Sequence, residues 1–503
     1  MPGSQIDNKP CSPPSDRDDG GRSARRELAQ VLMVLALVVL VNLLTASRSP
    51  TVWVDEARFT DPAANLVEGH GLTSTAWPFQ TSQELWAGNA PLHTWLLVPW
   101  IKVFGLTPTS VRAVNFIYMA IAALLLWVAV RRMGLISSSR LRVGLVGLVL
   151  LEYAVAFSYR SGRYDSLGIL LAAAVIAAAT LQSQAARMVL VAAIGVLAPF
   201  TGMQVIPYAV VMAALMFLIF GTPTLRITIP LGVGMAMGAA LLYAVLHAMG
   251  AWQGFVTSIR LQKASFELPA GIVPVLKAII NEPPHVFWDD RSLTPILVAL
   301  AIGFAASWCM GLRTWRRVEI ASMVLCFVVP ICLGVPAIFP TYYIWMISVP
   351  ALIGAMVVWD RLRAGPSKWR RAPEMAIAVM LTIAGLVGLP ARLGVTALEW
   401  SSRDYAPVES LVSRYVRAGD LVFATWQAFY PLHHANARAF YPGYPLTPSD
   451  KASVTLMVIS PRELPDACKI IGGSWRKIGA LPAMEYGFGA KLYDLAVYTR
   501  DSK

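Results

Sequence analysis

Charge is scarce in this chain: only 14% of its 503 residues are Asp, Glu, Lys or Arg, against about 25% in a typical soluble domain. With 56% hydrophobic residues and a mean hydropathy of +0.57, that shortage excludes an ordinary soluble enzyme and points to a polytopic membrane protein. Cysteine is also sparse. Cys11, Cys309, Cys326, Cys332 and Cys468 show no CxxC spacing, which leaves neither a disulfide framework nor a zinc site. The histidines (His70, His93, His247, His285, His433 and His434) lack HxxxH and HExxH spacing, so they carry no metal signature. Gly472-Gly473 lacks the glycine spacing and flanking strand of a nucleotide fingerprint, and no repeat of solenoid length is present. Acidic residues are the scarcer sign, giving a net charge of +13. The basic residues are scattered through short loops between apolar runs, a pattern of membrane orientation and not of a nucleic-acid surface.

What is present is a succession of apolar segments. Residues 1–27 read as a disordered cytoplasmic tail, and Leu28–Thr45 as a retained first span with Arg22, Arg25 and Arg26 on its cytoplasmic side. Residues 46–108 form a first external loop rich in tryptophan (Trp53, Trp77, Trp86, Trp95, Trp100), within which Leu92–Phe104 is too short to span and reads as an interfacial or re-entrant helix. Further spans are expected at about 109–130, 143–158, 166–182, 188–200, 204–220, 227–247, 293–311, 318–334, 341–359 and 374–390. The total is about eleven, or ten if Pro199 and Gly202 only kink a single helix. Arginine and lysine concentrate in alternate loops (Arg131, Arg132, Arg140, Arg142; Arg187; Arg226; Arg313, Arg316, Arg317; Arg361 to Arg371). Asp55, Glu56, Glu84, Asp165, Glu267, Asp289 and Asp290 fall on the opposite side. The expected fold is therefore an α-helical polytopic membrane domain over 28–391. A small α/β extracytoplasmic domain follows over 392–503, with a helix at Tyr405–Val416 and strands at Leu421–Thr425, Val454–Ser460 and Lys491–Thr499.

Four places could carry chemistry. Asp55 and Glu56 form an acidic pair at a membrane boundary, where burial costs several kcal/mol unless the charges are partnered; first-turn helix capping is the plainer explanation. Tyr159-Arg160-Ser161-Gly162-Arg163-Tyr164-Asp165 puts two arginines on the side that the topology rule disfavours, and guanidinium groups suit a phosphate. A local Arg163–Asp165 pair would explain them as well. The loop around 250–292, with Arg260, Lys263, Lys277, His285 and Arg291, could gather a lipid phosphate or simply touch headgroups. Tyr342 and Tyr343 are ligand candidates, or members of the interfacial aromatic belt. Glu84 with His433 or His434 would make a site between the two parts of the chain.

On these residues the chain resembles the GT-C superfamily, specifically the glycosyltransferase family 39-like group of protein O-mannosyltransferases, aminoarabinose transferases and lipid A galacturonosyltransferases. The resemblance is carried by Val54-Asp55-Glu56-Ala57 after the first helix and by Asn89-Ala90-Pro91-Leu92-His93-Thr94-Trp95 with Phe104-Gly105 following. Arg163-Tyr164-Asp165, Tyr342-Tyr343 with Pro350, and the terminal soluble part complete it. It implies a transferase moving a sugar from a polyprenyl-phosphate donor to an envelope acceptor (lipid, glycan or protein) on the outer face of the bacterial inner membrane. By the same resemblance Asp55 is the general base, with Glu56 beside it. Asp165 shapes the site or holds a metal or the acceptor, and Arg160, Arg163, Arg260, Tyr342 or Tyr343 lie near the donor phosphate. No nucleotide cofactor or nucleic acid is implied; a divalent metal ion is compatible with the resemblance but is left open. The chain departs from the group at Gly88-Asn89-Ala90-Pro91, where many members have Glu-Lys before Pro-Pro, and at Thr201-Gly202, where they have lysine, so a metal requirement does not carry over. A flippase for a lipid-linked sugar and a non-catalytic assembly subunit are the alternative functions.

Overall fold

The apolar runs become helices in a computed structural model that describes residues 17–202, 205–265, 291–309, 343–364, 370–481 and 492–501. In chain order these are α1 (Arg17–Thr45), α2 (Val54–Val67), α3 (Leu92–Phe104), α4 (Pro108–Arg132), α5 (Ser139–Leu151), α6 (Tyr153–Arg160), α7 (Asp165–Ala179), α8 (Gln184–Thr201), α9 (Val205–Phe220), α10 (Leu225–Ala248) and α11 (Trp252–Ser265). They are followed by α12 (Leu293–Cys309), α13 (Trp345–Ala364), α14 (Arg371–Val387) and α15 (Leu389–Leu398). Among the described residues, five helices are long and apolar enough to cross a bilayer, or up to seven if each of two bent pairs is one span. The protein is thus a multi-pass membrane protein. The expected count of eleven is not reached among the described residues, and the expected run at 318–334 lies outside them. The expected span at 143–158 is two helices bent by 56°, because the chain breaks at Glu152, whose carboxylate caps Val155 N–H at 2.8 Å. Gly388, at the bend between α14 and α15, packs onto the same break: a Cβ there would lie 1.9 Å from the Leu151 carbonyl.

One apolar core joins α1, α4, α5, α6, α12, α13 and α14. The other face of α1 exposes Leu32, Met33, Leu37, Leu40 and Leu44, as a lipid-facing helix does. Between α8 and α10 the backbones touch. A Cβ on Gly195, Gly234 or Gly238 would lie 2.6, 2.1 or 2.3 Å from a carbonyl oxygen of the facing helix. This is small-residue packing of the kind that drives helix association where lipid supplies no hydrophobic force. Gly234→Val is expected to push the two helices apart and to cost at least about 1–3 kcal/mol. The loss would be read as a lower melting temperature of the detergent-solubilised protein.

The C-terminal part is an α/β layer. It contains α16 (Ala406–Tyr415), α17 (Phe429–His434), α18 (Pro448–Ser453) and α19 (Leu464–Ile471). Its strands are β1 (Leu421–Ala424), β2 (Arg438–Phe440), β3 (Leu456–Ile459), β4 (Trp475–Ala480) and β5 (Ala496–Arg500). The sheet order is β2-β1-β3-β5-β4, with β1 parallel to β2 and β3, and β5 antiparallel to β3 and β4. Three strands overlap the expected ones. The other two, β2 and β4, have weak sequence signals: β2 is three residues long, and β4 is a bulged strand of mixed exposure. What places this layer is its core. Val422, Tyr430, Leu432, Tyr441 and Tyr493 pack with Val52 just before α2, Ala57 in its first turn, Ala76 of the following loop and Val111 of α4.

Candidate active site

Helix α2 is preceded by its N-cap Trp53, an extended residue whose indole N–H donates to the Ser161 carbonyl at 2.8 Å. Asp55 and Glu56 therefore both stand in the first turn, where the helix dipole favours negative charge. Successive helical residues point about 100° apart, so the two carboxylates diverge. Asp55 pairs with Arg163 and keeps 16% of its side chain exposed. Glu56 is sealed from solvent and takes Arg112 Nη2 at 2.6 Å, Arg112 Nε at 3.1 Å and the Tyr430 hydroxyl at 2.6 Å. Arg112 also donates to the carbonyls of Ala46 and Pro50.

The two branches meet again in the turn between α6 and α7. Gly162 has φ of +69°, and a Cβ there would lie 2.6 Å from Glu56 Cγ. The position thus calls for glycine on both conformation and space. The next residue, Arg163, donates from Nε to Asp165 at 2.7 Å and from Nη1 to Asp55. Its Nη2 lies 3.4 Å from the Tyr343 hydroxyl, which is 3.2 Å from that of Tyr164. Phe59 and Tyr164 rings flank the guanidinium at 5.3 Å. Arg58 lies 4.0 Å from Asp55 and over Trp426 of the C-terminal layer at 5.3 Å. The outcome is an alternating cluster of two cations and two anions, in which Asp55 is the more exposed carboxylate.

The structure thus brings Asp55, Asp165, Arg163 and Tyr343 together. The local Arg163–Asp165 pair exists, and it extends to Asp55. Glu56, expected beside Asp55 as a catalytic residue, is adjacent in sequence but buried against Arg112 and Tyr430 and turned away from the Asp55–Arg163 pair. Arg160 stands apart: it is buried and donates to Asn42, Thr45 Oγ1 at 3.0 Å and the Ser49 carbonyl at 2.6 Å, tying α6 to the end of α1. Arg260 is exposed on α11 and is not brought to the cluster. Tyr342 lies outside the described residues, as do Lys277 and His285. Among the described residues no group of three or more His, Cys, Asp or Glu side chains could hold a metal ion. Asp55 and Asp165 instead share Arg163 as counter-ion.

Glu84 is exposed and does not meet a histidine. His433 bonds instead to Asp61 at 3.2 Å and Glu68 at 2.9 Å, and His434 to the Leu106 carbonyl at 2.7 Å. Asp61, fully buried, also accepts from Ser74 Oγ at 2.6 Å and Thr75 N–H at 2.8 Å. Burial opposes protonation of His433, but the hydrogen bonds and charges of Asp61 and Glu68 outweigh it and raise the imidazole to about 9. Its stabilising contribution is therefore complete below the unfolded value of about 6.5 and is lost as pH rises through about 9. His433→Gln is expected to lower the melting temperature at pH 6 and to flatten its decline between about pH 7 and 9. His93, buried beside the Gly162–Arg163 turn, behaves oppositely: burial lowers it to about 4, and the Arg163 charge acts in the same direction, so it is neutral.

Sequence reasoning missed Arg112, Asp61, Glu68 and Tyr430. A signal existed for the first three. Arg112 sits inside an apolar run, where an ionisable group demands a partner, and Asp61 and Glu68 are spaced two helical turns apart on one face.

No family model matches the chain, and no curated protein matches its sequence. Among solved structures it is similar to ArnT from Cupriavidus metallidurans bound to undecaprenyl phosphate. The likeness has a TM-score of 0.63 and 14% identity, over 93% of this chain and 97% of that one. The apo state of the same protein gives a TM-score of 0.57 and 13% identity, over 94% and 98%. Over nearly its whole length, then, this chain shares the fold of that protein.

Proposed function

We propose that the protein is an integral-membrane glycosyltransferase that moves a sugar from a polyprenyl-phosphate donor to a hydroxyl of an envelope acceptor. The reaction takes place on the extracytoplasmic face of the inner membrane. The observation that carries this reading is a part-exposed carboxylate, Asp55, paired with Arg163, which also holds Asp165 at the start of α7. The fold around it is shared with a structure that binds undecaprenyl phosphate. Asp55 takes the proton of the acceptor hydroxyl as its oxygen attacks the anomeric carbon. The bond from that carbon to the phosphate oxygen breaks, and the lipid phosphate leaves with the electron pair. Arg163, with Tyr343 and Tyr164 beside it, supplies fixed donors near the charge that develops.

The test is mass spectrometry of envelope glycolipids, glycans and glycoproteins from wild type, a deletion strain and the complemented deletion. One sugar addition is expected to vanish and return. An unchanged envelope, or a lipid-linked sugar accumulating on the cytoplasmic leaflet, would overturn the reading.

A further inference from the structure

The C-terminal layer grips one helix in particular. From α17, Tyr430 reaches Glu56 in the first turn of α2 at 2.6 Å, and His433 reaches Asp61 in the middle of that helix at 3.2 Å and Glu68, its C-cap, at 2.9 Å. Residues three apart on a helix share a face, so Tyr430 and His433 act as two pins of one clasp. A third attachment fixes the loop that follows α2, where Ser82 N–H donates to the Tyr444 hydroxyl at 2.8 Å. Glu56 is next to Asp55 in the chain and touches Gly162, the neighbour of Arg163. The Tyr430 hydroxyl thus bears on both halves of the Asp55–Arg163 pair without touching either. A layer that served only as a tether could dock on any surface, and its polar bonds would not need to converge on the helix that carries the base.

We propose that Tyr430 and His433 are positioning residues for the transfer reaction, fixing α2 at both ends so that Asp55 meets the acceptor hydroxyl in register with Arg163. The inference rests on the transferase reading. Displacement of a reacting group by about an ångström can cost on the order of 100-fold in rate, whereas Tyr430→Phe leaves the Glu56–Arg112 ion pair and the apolar contacts of the ring in place.

The test uses membranes of the deletion strain expressing full-length wild type, Tyr430→Phe, His433→Gln or His433→Lys at matched abundance. The added acceptor is the unmodified glycan or lipid extracted from that strain. Tyr430→Phe and His433→Gln are expected to lower the maximal rate roughly 10–100-fold with the half-saturating acceptor concentration unchanged. His433→Lys, which keeps a cation between Asp61 and Glu68, is expected to recover most of the loss. Amide exchange in residues 54–67 should quicken in the two slow variants. A wild-type maximal rate in both, or a loss that only tracks the folded fraction, would overturn the inference while leaving the transferase reading intact. No transfer by wild type would overturn both.

Discussion

Asp55→Asn is expected to abolish most transfer, lowering it about 10²–10⁴-fold, the range over which a positioned acid–base group contributes. A sugar hydroxyl is a weak nucleophile, and its attack on the anomeric carbon leaves a proton that needs an acceptor. Asn offers a carbonyl of the same shape that does not take a proton. The fold should survive the change. Asp55 is 16% exposed, and Arg163 retains Asp165 at 2.7 Å, so no buried cation is left alone. Asp55→Glu keeps the carboxylate one methylene further out and should restore part of the rate. The readout is the sugar addition identified from the deletion strain, measured at equal protein abundance. Full activity in Asp55→Asn would assign the base elsewhere, and Asp165, the other carboxylate on Arg163, would be the next position to substitute.

How much of this was legible in the sequence follows from the kind of signal each part leaves. Apolar runs announce helices, so α4, α10 and α13 fall where composition puts them, whereas α1 starts at Arg17, inside the stretch expected to be a disordered tail. Length alone does not reveal a bend, and the breaks at Glu152 and Gly388 follow from local capping and backbone contact between segments more than 200 residues apart. Asp55, Arg163 and Asp165 were legible because each is a charge at a place where charge is costly. The division of labour between Asp55 and Glu56 was not legible. It depends on Arg112 and Tyr430, which are 56 and 374 residues away from Glu56, and no local pattern encodes such a meeting. The same holds for His433: a His-His pair in a loop-rich segment has no spacing that points to Asp61 and Glu68.

Glu56→Ala is expected to cost about 3–5 kcal/mol of stability, the range measured when one partner of a buried ion pair is removed. Both side chains of the Glu56–Arg112 pair are 0% exposed. A guanidinium stays protonated at any physiological pH, so without Glu56 a full charge is stranded on α4, with the Ala46 and Pro50 carbonyls as its hydrogen-bond acceptors among the described residues. Substituting both members by apolar residues of similar volume, Glu56→Leu with Arg112→Met, should cost less than Glu56→Ala alone. The stranded charge is then gone, although the Tyr430 hydroxyl loses its acceptor. The melting temperature in detergent reads both. If the double variant is well folded yet inactive, the ion pair is retained for register and not for stability. The carboxylate of Glu56 occupies the floor under Gly162, and a hydrophobic floor of different shape would move Arg163 away from Asp55. If the double variant is folded and active, the turn finds its place through Trp53 and the surrounding apolar contacts, and the buried pair carries no share of the alignment.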